Sequence, residues 1–148
     1  ELEMLHLDGN DVQSSEFARA LLTSLCSSLK DLKMRVESLS DEAADAFSGC
    51  NKLERLCLYG DLQSSSFIER AMPHLTSLKE LGMNTDELTL QIAGGLRKCR
   101  GLGKLKIYGL YESGASLEFV DVLIPHLPSL RELEIIVQEL SPEVGGGF

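Results

Sequence analysis

Leu53-Glu54-Arg55-Leu56-Cys57-Leu58 is the stretch that decides the fold, because most of the chain is this pattern returning. Apolar residues stand at its first, fourth and sixth places. The same spacing recurs at Leu2/Leu5/Leu7, Leu29/Leu32/Met34, Leu78/Leu81/Met83, Leu102/Leu105/Ile107 and Leu130/Leu133/Ile135. Successive starts lie 27, 24, 25, 24 and 28 residues apart. A unit of this size, one short strand plus a return segment, is how a solenoid reads in sequence.

The units alternate. Asp11-Val12-Gln13-Ser14-Ser15-Glu16-Phe17 of the first returns as Asp61-Leu62-Gln63-Ser64-Ser65-Ser66-Phe67 in the third. Tyr59-Gly60 and Pro73-His74-Leu75 of the third return as Tyr108-Gly109 and Pro125-His126-Leu127 in the fifth. The larger period is therefore a pair of units, near 50 residues. Return helices are expected over Ser15–Leu25, capped by Ser14 or Ser15, after Ser40, and over Glu87–Lys98. Gly94-Gly95 in the last of these weakens it by roughly 1 kcal/mol per glycine against alanine. Ser141-Pro142 opens a further helix that the remaining residues do not complete. Neither end carries the polar capping unit that solenoids use. Residues 1–148 thus read as a single domain of about six repeats, part of a longer array.

Composition sets the outer limits. The chain has 148 residues, 43% hydrophobic, with a formal net charge of −9, so nonspecific attraction to nucleic acid or anionic lipid is disfavoured. No apolar run approaches the roughly 20 residues of a membrane span. Cys26, Cys50 and Cys99 each stand three residues before a repeat-opening leucine, where other units have Leu75 and Leu127. Exchange with leucine reads as a small buried apolar residue, with a disulfide or metal site as the other reading. Unpaired thiols favour a reducing compartment, and Cys57 should point out of the sheet.

The pattern resembles that of leucine-rich repeat proteins, and the alternating units are similar to their ribonuclease-inhibitor-like subfamily, which includes the sensor regions of cytosolic NOD-like receptors of innate immunity. The family pattern LxxLxLxxNxL is complete in Leu2-x-x-Leu5-x-Leu7-x-x-Asn10-x-Val12. Elsewhere the Asn place holds Glu37, Asp61, Asp86, Leu110 and Gln138. Acidic residues accept but do not donate, so the ladder between units should be bonded differently here. The resemblance implies an α/β right-handed horseshoe with a parallel sheet on its concave face and helices on its convex face. It further implies a cytoplasmic, non-catalytic module that binds a protein or peptide ligand, without cofactor, metal or nucleic acid. An F-box ubiquitin-ligase subunit and a structural or inhibitory repeat protein are the alternatives. The former normally puts cysteine at the Asn place.

Strand positions that alternate with the core leucines form three rows. The first is Met4, Asp31, Arg55, Glu80, Lys104 and Glu132. The second is His6, Lys33, Cys57, Gly82, Lys106 and Glu134, and the third is Asp8, Arg35, Tyr59, Asn84, Tyr108 and Ile136. Units two to five carry Lys33, Arg35, Arg55, Lys104 and Lys106 against Asp31 and Glu80, a net +3, with Tyr59 and Tyr108 among them. Arg and Tyr are enriched at interface hot spots, so these seven residues form the candidate binding face. Lys and Tyr are also ordinary strand chemistry. His74 and His126 recur after proline near helix ends, which suits a structural role, and His6 stands without a nucleophile motif beside it. No GxxxxGK[ST], HExxH or GxSxG occurs. The exposed first and last strands invite edge-to-edge self-association.

Overall fold

Each LxxLxL stretch forms a strand because its apolar residues alternate with polar ones at the two-residue period of a pleated chain. In the computed structural model, which describes residues 1–7, 11–85, 89–111, 121 and 124–138, the strands are β1 (Met4–Leu7), β2 (Asp31–Val36), β3 (Arg55–Gly60), β4 (Glu80–Asn84), β5 (Lys104–Tyr111) and β6 (Glu132–Gln138). They make one parallel sheet in chain order, β1 to β6. Equivalent residues pair across units, as Leu32 with Leu56, Leu56 with Leu81, and Leu81 with Leu105. The helices α1 (Ser15–Leu25), α2 (Asp41–Asp45), α3 (Ser65–Ala71) and α4 (Leu90–Leu96) alternate with the strands. The protein is thus an α/β chain of strand–helix units, compatible with a βα solenoid.

Helix starts follow capping chemistry. Ser14, Ser40, Ser64 and Thr89 each accept, through the side-chain oxygen, the backbone N–H three residues on, which satisfies one of the amides a helix start leaves free. α1 has the expected bounds. α4 ends at Leu96 rather than Lys98, and residues 87 and 88 lie outside the described residues, as do Asn10, Asp86 and Ser141-Pro142.

One face of the sheet and the inner faces of the helices share a single core. Leu32, Met34, Leu56, Leu58, Leu81, Met83, Leu105 and Ile107 from the strands pack with Ala43, Phe47, Phe67, Ile68, Ile92 and Ala93 from the return segments. Gly95 belongs to this packing. A Cβ there would lie 3.2 Å from Glu69 Cα and Ile68 O of α3, whereas a Cβ on Gly94 would meet nothing within 4 Å. The two glycines therefore predict opposite outcomes. Gly94→Ala should raise stability by about 0.5–1 kcal/mol and Gly95→Ala should lower it, both read by urea denaturation. Equal shifts would contradict the close approach of α3 to α4.

The cysteine reading needs a correction. Cys26 and Cys50 are buried, as expected of that position, but they are also joined as a disulfide with Cα atoms 4.6 Å apart. Parallel stacking is the reason. Units one and two both carry cysteine at a place that registers one above the other, within the Cα range a disulfide spans. Cys99 lies between units that have Leu75 and Leu127 there, and it is a buried free thiol with its pKa pushed up to about 12 by burial. Two of the four sulfurs are thus removed from the argument for a reducing compartment. Alkylation of the denatured, unreduced chain should label two cysteines, Cys57 and Cys99, and reduction should raise this to four. Four labelled before reduction would remove the bond.

Candidate functional site

The sheet face opposite the helices carries the three rows in the expected order. Met4, Asp31, Arg55, Glu80, Lys104 and Glu132 register strand by strand, as do His6, Lys33, Cys57, Gly82, Lys106 and Glu134. Parallel pairing places each side chain beside its counterpart 24 to 28 residues away, so alternating charge along a row becomes a ladder of ion pairs.

The first row is such a ladder. His6 Nε2 lies 3.0 Å from Asp31 Oδ1, and Arg55 reaches Asp31 at 3.7 Å while also pairing with Glu80. Lys104 Nζ stands 3.4 Å from Glu80 and 3.5 Å from Glu132. Its pKa is raised, first by the charge of Glu132 and then by its hydrogen bond to Glu80. In the second row Lys106 faces Glu134 at 3.9 Å. The structure therefore brings all seven candidate residues onto one face but separates them into two groups. Arg55 and Lys104 each sit between two carboxylates, and Lys106 beside one, so the net +3 counted over units two to five is largely compensated at its edges.

The second group lies toward the C-terminal ends of the strands. Tyr59 and Tyr108 pack with ring centroids 5.6 Å apart, and Lys33 Nζ sits 5.8 Å from the centre of the Tyr59 ring, within reach of a cation–π attraction. Gly82 lies beside this packing: a Cβ there would stand 3.5 Å from Cys57 Sγ and 3.7 Å from the Tyr59 hydroxyl, ordinary contact distances. Cys57 points out of the sheet, as the alternation requires, yet it is only 9% exposed. Burial, followed by a hydrogen bond to Cys57, raises the Tyr59 pKa well above the ordinary phenol range, so the hydroxyl stays protonated and keeps its donor. Arg35, exposed beside Tyr59 in the register, makes no ion pair among the described residues. Asn84 Oδ1 is buried without a hydrogen-bond partner there. At the turn below, Gly60 has φ 109°, and a Cβ would fall 2.7 Å from Val36 O, so only glycine carries the chain past β2 at that point.

Sequence reasoning missed one functional element of the scaffold. Between units two and three the ladder is bonded not from the Asn place but two residues later, by Gln63. Its Oε1 accepts from Leu39 N–H at 3.0 Å, and its Nε2 donates to Glu37 O at 3.2 Å and Asp61 O at 3.4 Å. Glu37, at the Asn place, accepts from Ser15 N–H as an acidic residue must. The signal was present in the echo of Gln13 as Gln63, and Gln13 bridges the first two units through its backbone. Asp8 lies outside the described residues, as do the side chains of Leu110 and Gln138.

His74 and His126 lie in separate units. Among the described residues no three His, Cys, Asp or Glu side chains group as a metal-binding set. No helix of those residues is long and apolar enough to cross a membrane. Compared with models of known protein families, the chain matches none. A comparison with curated proteins likewise yields no match. The functional reading accordingly rests on geometry.

Proposed function

We propose that the chain is a non-catalytic binding module of the leucine-rich repeat type, its open sheet the concave face of a right-handed horseshoe that takes a protein or peptide ligand. Within that reading it serves as the sensor or autoinhibitory region of a NOD-like immune receptor. The observation that carries the binding role is the Tyr59–Tyr108 pair, with Lys33 over the Tyr59 ring and Arg35 beside it in register. Paired tyrosines offer large, rigid area and hydroxyl donors at low entropic cost, which is how hot spots are built. Asn84, in register with Tyr108, carries a buried Oδ1 without a hydrogen-bond partner among the described residues. A cytoplasmic location belongs to the same reading. It is supported by the thiols of Cys57 and Cys99 and opposed by the Cys26–Cys50 bond.

The test is a peptide-display selection on the wild-type chain, with every selected ligand re-measured on variants. Tyr59→Ala with Tyr108→Ala is expected to weaken binding by about thirtyfold, the size of a hot-spot loss. Arg55→Ala or Lys104→Ala should change it less than about threefold, because their charges are already met within the chain. Ligands indifferent to both tyrosines would sink the reading. Self-association through the outer edge of β1 is part of the same proposal, and it predicts a mass that rises with concentration until a charge replaces the exposed Met4.

A further inference from the structure

Most cations on the described sheet face and its rim meet a carboxylate one unit away. Along the N-terminal ends of the strands runs a groove of about 520 Å³ lined by Lys30, Asp31, Glu54, Arg55, Lys79 and Glu80 among others. Its lysines are matched, Lys30 to Glu3 at 3.6 Å and Lys79 to Glu54 at 3.4 Å. One surface breaks this rule. A second groove of about 480 Å³ lies where the chain returns from helix to strand, lined by Arg97, Lys98, Arg100, Pro125, His126 and Pro128.

The register of the solenoid builds this groove. Units five and six start 28 residues apart, at Leu102 and Leu130, so the segments just before them bring Arg97, Lys98 and Arg100 against Pro125, His126 and Pro128. His74 of the third unit holds the same place as Lys98 on the other flank. Arg97, Lys98 and Arg100 are all exposed, and none makes an ion pair among the described residues. Among the described residues that line the groove none is acidic, although acids outnumber bases by nine over the whole chain. The C-terminal end of α4 accounts for part of this, since its free carbonyls attract cations at Arg97 and Lys98. It does not account for Arg100, which lies beyond Cys99, or for His126 in the next unit. Two prolines with fixed φ form the opposite wall, so the cations face a surface that does not yield.

We propose that this groove is an anion site for phosphoryl groups, carried on a free polyphosphate or on a phosphorylated protein segment. Guanidinium groups present paired donors that match phosphate oxygens, and an ammonium between them supplies a point charge. Three uncompensated cations in one concavity match the charge of one or two phosphoryl groups. Among its described lining residues no Tyr, Phe or Trp stands to stack a nucleobase, so the phosphates are what it recognises. The site is separate from the tyrosine face and does not depend on it.

Calorimetric titration of the intact chain at about 0.1 M salt with tripolyphosphate, with a phosphoserine peptide of equal charge, and with citrate tests this. Saturable binding is expected for the phosphoryl ligands, weakened about tenfold or more by Arg97→Glu with Arg100→Glu. The milder Arg97→Gln with Arg100→Gln should weaken it in the same direction, with the folded state of both checked by circular dichroism. A charge-matched control, Arg19→Glu with Lys52→Glu, should leave it within about twofold, since those residues lie in other units. A tighter peptide identifies a protein partner as the source, and tighter tripolyphosphate a free metabolite. No saturable binding, equal affinity for citrate, or an equal loss in the control would overturn the proposal.

Discussion

Phe67→Ala should lower the unfolding free energy by about 3–5 kcal/mol, while Phe17→Ala, at the same place in the repeat, should lower it by less than about 1 kcal/mol. The two residues sit in echoing sequences and both lie in the first turn of a return helix. Their surroundings differ. Phe67 is 1% exposed and meets Phe47 edge-on at 5.9 Å, whereas Phe17 in the first unit is 42% exposed. In a stacked array the energy of a repeated position depends on having neighbours on both sides. Urea denaturation of the two variants checks this, and similar losses would show that the first unit is as enclosed as the third.

Gln63→Leu is the second large effect, expected at about 2–4 kcal/mol despite replacing an amide by an apolar side chain of similar size. Gln63 is 2% exposed, and its three hydrogen bonds tie Leu39 and Glu37 of unit two to Asp61 of unit three. Leucine would fill the space but leave Leu39 N–H and Glu37 C=O without their side-chain partner, and a buried polar group left unsatisfied costs about 1–3 kcal/mol. Gln63→Glu separates the two halves of the role. It keeps the acceptor for Leu39 N–H, loses the donor to the two carbonyls and buries a charge, so it should be no more stable than Gln63→Leu. Amide exchange at Leu39 is the local readout. Unchanged protection there in Gln63→Leu would show that the side chain does not hold the junction.

The strands, their parallel order and the outward rows were legible because a two-residue alternation fixes which side chains share a face, and a near-constant repeat fixes which of them stack. The serine caps at Ser14 and Ser40 were readable for the same reason, each being a local signal completed within three residues. The cross-unit chemistry was less so. That Arg55 lies between Asp31 and Glu80, or that Cys26 bonds Cys50, follows from laying one unit directly on the next. A count of charges or cysteines along the chain does not perform that step. Gln63 is not legible from the resembling family's pattern, because that pattern puts the inward-turned amide at the Asn place and here it comes two residues later.

The Cys26–Cys50 bond also has a mechanical meaning. With strand order equal to chain order, tension applied at the ends can unspool the array one unit at a time. The bond closes a loop across a sequence separation of 24, and at roughly 3.4 Å per residue it withholds about 80 Å of contour length. The second unit, which lies within that loop, would therefore act as a fixed anchor against which the others extend, and a reductant would turn that anchor into slack.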